Sequence, residues 1–457
     1  MNNKVKSLLI GTVVVIIVGA GFVLLKTNNK FSNTARNSNQ SAQMPSYKCD
    51  PNDPKVTKNL RFIGVYNGQN LSTPAGNFSA VSGNNYDKKW IHEPEWDVCG
   101  KPAILIGNLS NSSEKEEQIY YNGNLYAVPI GSIPLKDIHS QIAYMTGYFG
   151  KAIIDGVTYD LSNVKSHLYS VSGKIAGVIT EQGGSTDEKA QVFYDGKVFG
   201  EYPDILSEIK SVGGLLTFIN KTSKDSYPTT ELVQGNKVVS ENDKYVGIAN
   251  GWDNSFVEYR GAPAYIAASE ALWTWRTGAS VPTVNKNVKY EVKQGGKNIG
   301  GQYDGISFLT TIDGKLGFEA VKNNKSLIVF DEKEYGSDCD AAANIMDAGN
   351  DLAYLCIKGK KGVNMIFDVI KGGKIVAELD KPYVFYPRRS MGNWGDVTFI
   401  GPKVAIVVRS PNDGQSYVQY GDKRIFEGYS IGSVANIGGK LVIQAEKDRV
   451  DYVLIEN

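Results

Sequence analysis

Across 457 residues, 49 Lys and Arg stand against 48 Asp and Glu, so the chain lacks the basic field that phosphate-backbone binding needs, and nucleic acid is excluded as a partner class. The 49 Gly, 26 Tyr and 11% aromatics favour turn-rich strands over helices and point to an all-β body. Three histidines (His92, His139, His167) and four cysteines without C-x-x-C spacing fit no structural zinc pattern, and the reading assigns no metal and no cofactor.

Residues 1–6 form a short end bearing Lys4 and Lys6. Ser7 to Leu25 then reads SLLIGTVVVIIVGAGFVLL, an uncharged apolar run that at about 1.5 Å per residue approaches the roughly 30 Å core of a bilayer. This predicts a transmembrane helix over residues 7–26. A cleaved signal peptide usually has a shorter apolar region ending in a small-residue site, and none is evident here. Lysines flank the run on both sides, so the positive-inside rule leaves orientation undecided. A short leading flank before a large body is the pattern of a signal anchor, which places the bulk of the chain outside the cell membrane as a single-pass protein. Residues 27–56 are rich in Asn, Ser and Gln with few large apolar side chains, so burial cannot offset the entropy of ordering, and a disordered polar linker is predicted.

From residue 57 to 457 two phrases recur. One is a Gly followed by an alternating apolar run, as in GKPAILIG from Gly100, GKIAGVIT from Gly173, GKLGFEA from Gly314, GPKVAIVV from Gly401 and GKLVIQA from Gly439. The other is an apolar run closed by a two-residue turn, as in YYNGNLYA, AIIDGVTYD and VFYDGKVFGEYP; Asn122-Gly123, Asp155-Gly156 and Asp195-Gly196 are strong hairpin signals. The phrases keep phase: Gly156 to Gly173, Gly196 to Gly213, Glu332 to Gly349 and Asp422 to Gly439 each span 17 residues. One copy takes roughly 40 to 45 residues, the size of a four-stranded propeller blade. Such a sheet cannot bury its apolar face alone, so neighbours must pack around an axis. The expectation is a single β-propeller of seven to nine four-stranded blades, eight preferred. The last copy stops after two strands while LRFIGVYNGQ near residue 60 has no partner, so N-terminal strands are expected to complete the last blade.

On Gly173-Lys174-Ile175, Asp195-Gly196-Lys197, Gly314-Lys315-Leu316 and Gly439-Lys440-Leu441, the chain resembles bacterial propellers with WD40-like or TolB-like repeats. The Gly-His and Trp-Asp pairs of the WD40 type are missing. The resemblance implies the fold and a binding role, not a ligand.

No nucleophile elbow, phosphate loop or dinucleotide fingerprint appears in its required context, and no catalytic residue is assigned. Acidic residues recur at turns (Asp155, Asp195, Asp331, Asp422) and after outer strands (Asp160, Asp204, Asp304); Asp favours such turns for backbone reasons, which outweighs a catalytic reading. Between Gly261 and Gly295 the repeat stretches to 34 residues and includes Trp273, Trp275 and Arg276, flat and cationic groups suited to amphipathic ligands. A second excursion, Tyr383 to Gly401, holds Arg388, Arg389 and Trp394, and WIHEPEW holds Trp90 and Trp96. Cys49 with Cys99 and Cys339 with Cys356 are the sequence-near disulfide candidates, four cysteines allowing three connectivities. The leading expectation is a membrane-tethered binding or scaffolding module that recognises a protein or cell-envelope polysaccharide through its loops. The alternative is an extracytoplasmic carbohydrate-active enzyme with carboxylates at the propeller mouth.

Overall fold

The computed structural model describes residues 61–457 apart from position 67 and a set of connecting stretches, the longest being 83–88, 109–115, 161–168, 181–188, 223–228, 248–254, 275–282, 360–365, 380–393 and 410–415. The apolar run and the polar linker lie outside the described residues. Every element among the described residues is a strand, and no helix among them is long and apolar enough to cross a membrane.

The strands form successive antiparallel four-stranded meanders, numbered here as sheets one to nine. Sheet one runs from a broken first strand (Lys89–Ile91 and Trp96–Val98) through Lys101–Asn108 and Glu116–Tyr121 to Asn124–Pro129. Sheets two to seven begin at Ile133, Tyr169, Asp204, Phe256, Gly305 and Ala341. Sheets eight and nine share the 15-residue strand Lys423–Ile437: its first half pairs with Ser416–Tyr420 and its second half with Lys440–Lys447. Counted this way, the described residues hold nine units, within the expected seven to nine and one more than the preferred eight. Clear hairpins undercount them because sheet nine takes its fourth strand from elsewhere in the chain.

That strand is Gly76–Ser82, which pairs with Val450–Glu456 and is flanked in turn by Gln69–Thr73. The expectation that N-terminal strands complete the last sheet holds for these two. It fails for LRFIGV: Arg61–Val65 lies on the outer edge of sheet one, along Asn124–Pro129. The reason is geometric, since the outer strand of sheet one offers an unpaired edge beside the seam. Tyr66 ties the two ends together, its hydroxyl accepting the Ser82 amide at 2.9 Å and its ring meeting Tyr120 edge-on.

Neighbouring sheets pack through apolar faces. Val192 and Tyr194 of sheet three meet Leu216 and Phe218 of sheet four, and comparable cores join four to five, five to six, six to seven, seven to eight and eight to nine. The last interface returns to the start: Val81, Val442 and Val453 of sheet nine bury against Ile104, Ile106 and Tyr120 of sheet one. Each fully buried Val, Ile or Phe contributes about 1.5 to 3 kcal/mol of transfer free energy.

The recurring phrases acquire a physical meaning here. The small residue two places beyond the lysine in GKIA, GKLG and PKVA faces an aromatic across the ladder: Ala176 opposes Tyr194, Gly317 opposes Phe330 and Ala405 opposes Tyr420. At Gly317 a Cβ would lie 2.4 Å from Ile345 Cδ1 and 3.1 Å from Phe330. Lys174, Lys315 and Lys403 lie over those same rings, at 6.0, 6.0 and 4.9 Å from the centroids. The Asp that follows the ring then pairs with the lysine in two copies, Lys174 with Asp195 and Lys315 with Asp331.

Candidate recognition face

In an antiparallel meander the first and third turns fall on one edge of the sheet, while the second turn and the link to the next sheet fall on the other. Here the first edge carries tight turns almost throughout. Asn122 and Gly123, with φ of 48° and 80°, show the left-handed pair that the Asn-Gly signal predicts. Adjacent sheets keep these turns side by side: the Gly213 amide donates to Glu258 at 3.0 Å, and a Cβ on Gly213 would stand 2.5 Å from the Gly261 carbonyl.

The opposite edge collects nearly all the long connections. Residues 109–115, 181–188, 223–228, 360–365 and 410–415 all join second to third strands, and among the described residues the tight turns at these positions are Asn323-Asn324 and Asp448-Arg449. The excursion after Gly261 also belongs to this edge. It contains a two-stranded ribbon in which Trp273 pairs with Val284 and Thr274 with Thr283, inserted between the second and third strands of sheet five. Trp275 and Arg276 lie outside the described residues.

The other two candidates are placed differently. Trp394–Gly395 pairs antiparallel with Ala435 and Val434, so it runs along the inner strand of sheet nine instead of capping an edge. Arg388 and Arg389 lie outside the described residues. Trp90 opposes Gly107 near the long-connection edge, while Trp96 opposes Ala103 toward the tight-turn edge. The backbone thus puts Trp273 and Trp90 toward the long-connection edge, Trp96 toward the tight-turn edge and Trp394 along the inner strand of sheet nine.

Several charges near the long-connection edge are neutralised internally. Lys289 pairs with Asp304, which also accepts the Asn323 amide at 2.7 Å; these two donors hold the Asp304 carboxyl below the usual carboxylate range. Lys358 meets the buried Asp368 at 2.8 Å, and this hydrogen bond raises the ammonium pKa. Lys189 with Glu201 and Lys322 with Glu334 are further pairs. Arg409 reaches the buried Asp396 at 2.7 Å and donates to the Gly432 carbonyl at 2.7 Å, anchoring the chain where it enters sheet eight.

The carboxylates singled out by the sequence are engaged locally, as turn and cap chemistry predicts. Asp195 and Asp331 pair with repeat lysines, Asp422 lies 3.0 Å from Lys423, and Asp204 accepts the Ile205 amide. Asp155 and the Asp160 side chain lie outside the described residues. Sequence reasoning missed the buried cluster in which Asp243 accepts from Tyr265 at 2.8 Å and pairs with Lys293. The available signal was a lysine inside the apolar run YEVKQ. Cys339 and Cys356 form a disulfide with Cα atoms 5.4 Å apart; Cys49 and Cys99 lie outside the described residues.

No protein-family model matches the chain, and no curated protein matches it in sequence. Among solved structures it is similar to TolB from Acinetobacter baumannii, at 13% identity and a TM-score of 0.27, covering 85% of this chain and 79% of that one. It is also similar to a subtype N10 neuraminidase-like protein of A/little yellow-shouldered bat/Guatemala/060/2010, at 8% identity and a TM-score of 0.22, covering 86% of this chain and 98% of that one.

Proposed function

We propose that the nine sheets close into one propeller and that the protein is a membrane-tethered, extracytoplasmic binding module whose ligand, a protein or a cell-envelope glycan, meets the edge bearing the long connections. The core shared by sheets nine and one supports closure. The observation that carries the binding reading is the segregation of connections: tight turns hold one edge, and the other gathers the long stretches and the Trp273 ribbon. Long loops on a rigid scaffold are where recognition concentrates. Engagement of the turn carboxylates in ion pairs and caps favours binding over glycoside hydrolysis, which needs two free carboxyl groups about 5 to 10 Å apart. The test is a pull-down of the full chain on cell-wall glycan and on envelope-protein extracts, beside Trp273→Ala/Trp275→Ala. Retention on glycan lost in the variant supports the reading; glycan turnover, or equal retention by both proteins, contradicts it.

A further inference from the structure

The tight-turn edge has a property that the balanced net charge conceals. In six consecutive sheets the fourth strand opens on an exposed lysine: Lys197, Lys237, Lys297, Lys333, Lys374 and Lys423. In five sheets the second strand also opens on a lysine, exposed at Lys315, Lys403 and Lys440 and half-buried at Lys101 and Lys174. Of these eleven, only Lys174, Lys315 and Lys423 have a carboxylate within salt-bridge distance among the described residues. At the other edge Lys189, Lys289, Lys322, Lys358 and Arg409 are paired, while Lys221, Lys325 and Lys447 have no carboxylate within salt-bridge distance among the described residues. Sheets six and seven hold five tight-turn carboxylates (Asp313, Asp331, Glu332, Asp347, Asp351), and sheets three, five and eight hold one each in Asp195, Glu258 and Asp422. Sheets three to five and eight to one thus present lysines with few neighbouring acids.

We propose that this edge docks on an anionic phospholipid surface. Most turns at this edge are two residues long, so few loops project from it to wrap a polymer. The rings that nucleobases would need for stacking lie beneath the protein's own lysines, as at Tyr194, Phe330 and Tyr420. Lysines repeated along one edge, most without a carboxylate within salt-bridge distance among the described residues, suit a surface of diffuse negative charge, where each adds a small attraction and no precise geometry is required. Docked this way, the long connections and the Trp273 ribbon face away from the bilayer. The docking face rests on the lysines alone and stands whether or not the opposite edge binds glycan.

The test uses the full chain with vesicles of phosphatidylcholine alone and of phosphatidylcholine with roughly a quarter phosphatidylglycerol, read by amine acylation and mass spectrometry. Lys197, Lys237 and Lys297 are expected to acylate at least about threefold more slowly on the anionic vesicles, while Lys322 and Lys447 are unchanged. The protection vanishes in about 1 M salt, where the screening length falls to roughly 3 Å. Lys197→Glu/Lys237→Glu/Lys297→Glu is expected to remove the protection of Lys374 as well. Equal acylation on both vesicles overturns the proposal, and so does protection by added RNA or acidic protein without protection by anionic lipid. Flotation reports the tether separately: a chain that floats with neutral vesicles but shows no lipid-dependent protection keeps its anchor and loses the docking face.

Discussion

Tyr194 shows how the repeat trades local satisfaction for packing. Its ring lies opposite Ala176 and under Lys174, but its buried hydroxyl has no hydrogen-bond partner among the described residues. An unmade bond of this kind costs about 1 to 3 kcal/mol, so Tyr194→Phe is expected to leave stability unchanged or raise it by about 1 kcal/mol. Burial, and after it the charge of Asp195, pushes the phenol up to about 12. The unfolded chain ionises this group near pH 10, so its contribution is fully present below pH 10 and is lost as pH rises through 12. Denaturant melts from pH 9 to 12 check this, the variant showing the shallower alkaline decline. At this scale the sequence exposed the turn residues well, because positive φ requires particular side chains. It was silent on Asp396 and Asp368, whose burial depends on which strands arrive from elsewhere.

The strand elements were legible because their grammar is local. A lysine, a small residue, an aromatic and a turn Asp recur at fixed spacing, and the ladder explains each choice. What escaped was the pairing of strands far apart in the chain. Nothing within LRFIGV distinguishes the outer edge of sheet one from that of sheet nine, and nothing within the Tyr383 to Gly401 excursion announces that Trp394 runs beside Ala435. The disulfide belongs to this scale too, since it fixes the link into sheet seven against that sheet's second strand. It closes a segment with a sequence separation of 17, for which loop-closure entropy gives about 3 kcal/mol. Cys339→Ala/Cys356→Ala is therefore expected to lower unfolding free energy by about that amount, measured by urea melts. A loss below about 1 kcal/mol would mean that the surrounding core, with Ile345 and Tyr354, holds the link unaided.

For the whole molecule, the balance of 49 cations against 48 anions is an average over two unlike edges, one with long connections and several ion pairs and one with tight turns and a repeated row of lysines, most without a carboxylate within salt-bridge distance among the described residues. That division follows from topology and cannot be read from composition. The same topology rests on the seam, where Gly76–Ser82 pairs with Val450–Glu456 and Val81 buries between sheets nine and one. Amide hydrogen exchange over Gly76–Ser82 in the full chain tests this account most directly. Closure by the N-terminal strand predicts protection equal to that of the neighbouring core strand Lys440–Lys447. Exchange at the rate of an unstructured segment, with Lys440–Lys447 still protected, would contradict it.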